Sequence, residues 1–321
     1  MNLQTKIPLK KASGPVIDYS ANVFLLGSCF SENIGGKLDY FKFKNTQNPF
    51  GILFHPKAIE TLIFRAVNSK LYLDEDVFFN NEQWHCFDAH SKLSNASKSS
   101  LLTGLNKQIS LTNTQIRQAS HIIITFGTAW VYRFNSSKNV VANCHKITQS
   151  HFKKELLSVD TITQSLHNIV NLISTVNPHA SVIFTVSPVR HIKDGFIENT
   201  RSKSHLIAAI HQLLNKEFKT INKSSSYFPS YEIMMDELRD YRFYNEDMIH
   251  PNATAIKYIW ERFISVWVSQ DALKTMEEVD AIQKGLLHKP FNSKSEAHQK
   301  FLKKLEDKKA QLQIKHAHLT F

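Results

Sequence analysis

Two short segments of this chain carry residue types that can do chemistry together. The first is Gly27-Ser28-Cys29-Phe30, which follows the apolar run Val23–Leu26 and precedes the polar Ser31, Glu32 and Asn33. The run reads as a short buried strand, Gly27 as a tight turn, and Ser31–Asn33 as the opening of a helix. A small nucleophile on a strand-to-helix corner is exposed, and it lies beside unpaired helix N-terminal N–H groups that stabilise an anion. Two residues compete for the role, the Ser28 hydroxyl and the Cys29 thiol. The second segment is Asp247-Met248-Ile249-His250-Pro251-Asn252, an acid and an imidazole three residues apart. Nucleophile, histidine and aspartate are the groups that acyl transfer uses. The imidazole takes the nucleophile's proton and later protonates the leaving group, while the carboxylate fixes the ring's tautomer. A thiol fits such a corner, because a helix N-terminus and a nearby histidine are expected to lower its pKa from about 8.5 towards the reactive thiolate. An acyl thioester is also more open to attack by amines than an oxygen ester, which favours transfer over simple hydrolysis. The plainer readings are a small buried cysteine at a strand end and a helix-capping role for Asp247 and His250.

The elements that must position these groups follow from hydrophobic pattern. Continuous apolar runs at Val23–Leu26, His121–Phe126 and Ser181–Val186 suit strands buried on both faces of a parallel sheet. Helical spacing appears over Pro56–Val67, Ile162–Val176, Ser202–Phe218 and Ala253–Trp267, the last behind Asn252 as a capping residue. Strands alternating with helices predict a three-layer α/β/α sandwich. Residues 71–106, rich in aromatics, Asn and Ser, read as a hairpin or loop elaboration over the site. Residues at the carboxyl ends of parallel strands are the better binding candidates. Thr128 and Trp130 after the second clear strand and Arg190 after the third meet that criterion. The polar run Asn143-Cys144-His145-Lys146 adds Asn143 and His145 to the candidates. Tyr231–Tyr244, which leads into Asp247, mixes acids, arginines and tyrosines and reads equally as a buried polar network or an exposed turn.

Bulk properties narrow the function. The chain has 321 residues, 42% hydrophobic and 21% charged, an ordinary globular composition. Its net charge of +11 is spread evenly, +4 over residues 1–120, +4 over 121–270 and +3 over 271–321, so no nucleic-acid-binding stripe is assigned. No signal peptide or membrane-spanning run is evident, and three scattered cysteines form no disulfide framework. Together these predict a cytoplasmic protein without membrane attachment. There is no paired Cys-x-x-Cys spacing, so no metal site is assigned. No Gly-x-Gly-x-x-Gly or Walker pattern calls for an organic cofactor. A catalytic domain over residues 1–270 and a helical tail over 271–321 are expected. The tail is Lys/Glu/Gln-rich and broken between Gly285 and Ser293. Its Phe301, Leu302, Leu305 and Leu312 could dock on the domain or on a second subunit.

The Gly-Ser-Cys-Phe tetrapeptide resembles the signature of the GSCFA family, itself similar to the SGNH/GDSL esterase superfamily, over about residues 20–265. The resemblance implies a flavodoxin-like sandwich on a parallel five-stranded sheet. It puts Cys29 at the position of the superfamily's nucleophilic serine, and Ser28 at that of the preceding aspartate. Asp247, His250 and Pro251 match the last block, Asp-x-x-His-Pro. Gly51 is the best match for a glycine whose backbone N–H contributes to the oxyanion hole. In the third block, Gly127-Thr128-Ala129 places Ala129 where an asparagine donor belongs, and Thr128 is the candidate substitute. The implied activity is hydrolysis or transfer of an acyl ester, with a small-molecule or O-acylated carbohydrate as substrate. The altered third block leaves a catalytically silent binding module as the alternative.

Overall fold

The computed structural model describes residues 4–215 and 225–321. In chain order it runs β1 (Asn22–Gly27), α1 (Cys29–Tyr40), β2 (Lys44–Gln47), α2 (Pro56–Val67), the hairpin β3 (Val77–Asn80) and β4 (Gln83–Cys86), and α3 (Lys98–Gln118). It continues with β5 (His121–Phe126), β6 (Trp130–Phe134), β7 (Val140–Val141), β8 (Phe152–Leu156), α4 (Val159–Val176) and β9 (Ser181–Val186). Then come α5 (Phe196–Leu214), β10 (Ser225–Phe228), α6 (Ser230–Glu232), α7 (Ala253–Trp267), α8 (Gln270–Leu287) and α9 (Glu296–Lys315). The central sheet has the order β10-β9-β5-β1-β2, and every neighbouring pair is parallel. Every residue of β5 and β9 is buried, which is why these strands are apolar throughout rather than alternating.

The pleat of the sheet sorts its side chains into two layers. Phe24, Leu26, Ile122, Ile124, Phe184 and Val186 pack with Ile59 and Ile63 of α2, Leu105 of α3, Leu166 of α4 and Leu206 of α5. Val23, Leu25, Ile123 and Ile183 face the opposite way, onto Leu38 of α1, Phe263 of α7, Met276 of α8 and Leu312 of α9. The result is the α/β sandwich expected from sequence, with extra C-terminal helices. The expected division at residue 270 does not coincide with a gap in packing, because one apolar cluster contains both Ile17 and Leu319.

Two smaller antiparallel units flank the sheet, the β3–β4 hairpin and a three-stranded sheet of order β7-β6-β8. The hairpin falls in the irregular segment, but the end of that segment already belongs to α3, a helix not anticipated from sequence. Its buried stripe of Leu101, Leu105, Ile109, Thr112 and Ile116 is diluted by Ser, Thr, Asn and Gln on the other faces. The expected helix over Ser202–Phe218 starts earlier, at Phe196, and its last residues lie outside the described ones. Residues 233–237, within the polar Tyr231–Tyr244 run, form a π-helical turn. No described helix is long and apolar enough to cross a membrane.

Candidate active site at the carboxyl edge of the sheet

The strand-to-helix corner is built by glycine and locked by hydrogen bonds. Gly27 has φ +132°, and a Cβ there would lie 2.1 Å from Thr125 O, so only glycine lets β1 turn this close to β5. Ser28 N–H donates to Thr125 O at 3.0 Å. Ser31 Oγ donates to Leu26 O at 3.0 Å and hydrogen-bonds Thr125 Oγ1 at 2.8 Å. Gly27 N–H donates to Asn48 Oδ1 at 2.8 Å, which ties the loop after β2 to the corner. The helix starts two residues before the expected Ser31, with Ser28 as its cap: the hydroxyl accepts from Phe30 N–H and is fully buried. Cys29, the first residue of α1, keeps partial exposure.

The thiol's electrostatics differ from expectation. Burial pushes the Cys29 pKa above its ordinary value and Glu32 adds to this, while Lys203 pulls it back. The N-terminal N–H groups lower it too, but desolvating a small anion costs more than they return. Lys203 of α5 was invisible in the sequence, one of 39 basic residues without local pattern. It is 1% exposed, and its Nζ donates to Gly127 O and Ser187 O, both at 2.7 Å. Those carbonyls immediately follow β5 and β9, so the ammonium sits at the carboxyl edge of the sheet.

The Asp247–His250 pair is formed. His250 Nδ1 and Asp247 Oδ2 are 2.6 Å apart, and Asp247 Oδ1 accepts the N–H groups of Ile249 and His250 at 2.9 and 3.0 Å. These bonds, those to His250 first, hold the Asp247 carboxyl down at about 2. Both side chains are close to half exposed. Arg190 fastens this loop to the end of β9: its N–H donates to Ile249 O at 3.1 Å and its Nη1 to Met248 O at 3.0 Å. Its guanidinium is enclosed by the rings of Phe196, Tyr241 and Tyr244, with centroids 5.1–5.5 Å away. Arg190 therefore braces the loop rather than presenting a free cation to a ligand.

His191 was legible only as the neighbour of Arg190. Its ring packs edge-on against Phe54, and its Nε2 lies 2.9 Å from where a Gly127 Cβ would stand. Among the described residues Nε2 is buried without a hydrogen-bond partner. Burial, helped by Lys203 and His250, lowers its pKa to about 3, so the ring is neutral.

Other candidates have different duties. Gly51, with φ +73°, donates its N–H to Asn48 O at 2.8 Å; the turn consumes the donor expected for an oxyanion. The N–H groups of Gly127 and Thr128 both donate to Phe54 O. Thr128 Oγ1 is engaged with Ser202 Oγ at 3.0 Å and accepts from Trp130 N–H at 3.0 Å. The Trp130 indole donates to Glu198 O at 3.2 Å. Thr128 and Trp130 thus brace the loop between β5 and β6 against α5. Asn143 Oδ1 accepts from His145 N–H, and His145 Nε2 bonds Cys86 O at 2.7 Å beside His85 and Phe78. Both belong to the packing between the hairpin and the side sheet. A surface cavity of about 800 Å³ lies over α2 and α4 and is lined by Lys57, Arg65, Arg133 and Asn168 among others, and by none of the candidate residues.

Among solved structures, the chain is similar to a carbohydrate esterase of family 3 from Talaromyces cellulolyticus, at 9% identity and a TM-score of 0.34. It is also similar to an acetyl esterase mutant solved with acetate ion, at 11% identity and a TM-score of 0.30. Each comparison covers 81% of this chain and 99% of the other. No curated protein matches the chain. The C-terminal domain described for GSCFA domain proteins matches residues 279–321, and the GSCFA family itself matches residues 22–263. Since the latter spans most of the sequence, the chain belongs to the GSCFA family.

Proposed function

We propose that this protein is an SGNH-type acyl hydrolase or acyltransferase in which Cys29 is the nucleophile, His250 the proton carrier and Asp247 the group that orients it. The observation that carries the reading is the 2.6 Å Asp247–His250 pair, braced by Arg190 against the end of β9. The thiol opens α1 at the same edge of the sheet. In the first half-reaction His250 Nε2 takes the thiol proton and sulfur attacks the ester carbonyl. The tetrahedral oxyanion collapses, and the alcohol leaves with the proton from His250. In the second half, water or an acceptor amine or hydroxyl loses its proton to His250 and attacks the thioester, which frees Cys29. The Cys29 N–H at the helix start is one oxyanion donor. With Gly51 and Thr128 committed elsewhere, the Cys29 N–H is the donor this reading retains. The chemistry calls for no cofactor. An O-acylated carbohydrate is the first substrate class to try, by superfamily analogy alone.

Ser28 is excluded as nucleophile in this reading because its hydroxyl is buried and spent on the cap. Turnover of p-nitrophenyl acetate by the full chain is the direct test. Cys29→Ala and His250→Ala should each lower it by about 10³-fold or more, while Ser28→Ala leaves a substantial remainder. Loss in Ser28→Ala with retention in Cys29→Ala would reassign the nucleophile. The binding-module reading draws on the raised thiol and the committed donors. It gains ground if the wild type shows no turnover and iodoacetamide labels Cys29 no faster than Cys86 or Cys144.

A further inference from the structure

We propose that the pocket between the π-helical turn and the loop that carries His250 binds a small anionic amphiphile, a carboxylate on a short alkyl chain or a single ring. The site stands whichever residue is the nucleophile. Its volume is about 190 Å³. An apolar cavity of about 150 Å³ takes up benzene, so a ring or a chain of about six carbons is the size that fits. Met234 and Leu238, both buried, form the floor. Met235 and Tyr244 form a wall, where the Tyr244 hydroxyl donates to Met235 Sδ at 3.7 Å. Two lining residues touch the His250 loop directly. Arg190 N–H donates to Ile249 O, and Tyr244 pairs with Pro251, next to the 2.8 Å bond from Asn245 N–H to His250 O.

Exposed apolar side chains gather at the same place. Phe196, Met235, Tyr241 and Met248 all face water, and contacts to Arg190 or Tyr244 join the four. An exposed apolar patch rimmed by polar groups marks a binding surface, and methionines suit one because they adapt to an irregular ligand. The turn that supplies Met234 and Met235 is π-helical, a rare conformation frequent at functional sites. Charge selects the head group. Arg190 is already spent on Met248 O and enclosed by its rings. Arg239, the other guanidinium lining the pocket, is exposed and forms no ion pair among the described residues. The carboxylate that lines the pocket, Asp240, is held by Arg242 at 2.9 Å and accepts its N–H at 2.8 Å. Asp236 lines the cavity against residues 4–8 and not this one. That leaves an unpaired guanidinium beside an apolar pocket, and the fork of an arginine matches a carboxylate.

Titration of the full chain with sodium hexanoate, followed by NMR of the methionine ¹³Cε methyl signals, tests the site. Met234 and Met235 should move together and saturate with a dissociation constant of about 1 mM, the affinity within reach of a ligand of about eight non-hydrogen atoms. Met276 on α8 should stay still. Neutral hexanamide should bind about threefold more weakly or worse, and Arg239→Gln should remove that difference while leaving hexanamide binding unchanged. Met235→Trp, a larger side chain at an exposed position of the wall, should weaken hexanoate binding about tenfold or more by filling the pocket. Shifts that are absent or unsaturated at about 50 mM, or matched by Met276, overturn the site. Equal binding of hexanoate and hexanamide, or an unchanged hexanoate affinity in Arg239→Gln, overturns the anionic ligand. None of these measurements reads ester turnover, so a protein with no esterase activity that still binds hexanoate would count against acyl transfer and leave the site standing.

Discussion

Burial shifts several histidines of this protein in one direction, and the shifts make its stability depend on acid. His55 is buried as the cap of α2, where Nδ1 accepts from Ala58 N–H, and its pKa falls to about 4. His145 falls to about 4 and His191 to about 3, again chiefly by burial. In the unfolded chain each titrates near 6.5. Between the two values the unfolded state binds more protons than the native state, so stability rises with pH through that window and is lost as pH falls through it. For fully buried His55 the loss is about 3 kcal/mol once the pH is well below 4. The urea midpoint should therefore drop steeply from pH 6.5 to pH 4; a flat midpoint would mean that these rings gain partners when charged. The site's residues divide by the same physics. Cys29, Asp247 and His250 could be proposed from sequence because type and spacing suggest a shared chemistry. Lys203 could not, since only the fold tells a buried lysine from a solvated one. Gly51 was misread because whether its N–H is free depends on a turn, not on its identity.

Arg190 acts at the level of elements, through the loop that carries His250. Its side chain contributes the Nη1 bond to Met248 O and the enclosure by three rings, the latter worth about 0.5–1 kcal/mol at a partly exposed position. Met248 has φ +56°, a left-handed conformation that a methionine holds only when its surroundings impose it. Without the brace the loop that carries the imidazole should lose its fixed position against the end of β9. Arg190→Ala is expected to lower kcat for p-nitrophenyl acetate about tenfold with little change in KM, with Arg190→Lys recovering only part. A rise in KM at constant kcat would instead make Arg190 a substrate ligand. The elements themselves were unevenly readable. β1, β5 and β9 are central, and burial on both faces prints them as apolar runs. The edge strands β2 and β10 are only partly buried, so their sequences, Lys44–Gln47 and Ser225–Phe228, lack that pattern. α3 hid for a related reason, with one narrow stripe among polar residues.

The C-terminal helices decide how large the cooperative unit is. Their Lys/Glu/Gln-rich composition suggested an appendage, because α8 and α9 bury only narrow faces and leave the rest in water. Part of those faces is buried within this chain. Leu305, Leu312 and Leu319 are at most 5% exposed and share a cluster with Val23 and Leu25 of the first strand. His316 stacks on Tyr19, with centroids 4.9 Å apart. Each leucine contributes about 2 kcal/mol by burial, so three together rival the 5–15 kcal/mol that holds a typical domain. The same cluster includes Leu38 of α1, the helix that Cys29 opens. Truncation after Lys289 should therefore lower the melting midpoint by about 10 °C or more, or abolish cooperative unfolding, and slow the selective labelling of Cys29. A truncated chain that melts within about 2 °C of the full-length protein and keeps rapid Cys29 labelling would place α9 outside the catalytic unit. In that case the leucine faces would be free to serve a second copy, and sedimentation of the full chain at rising concentration would show it.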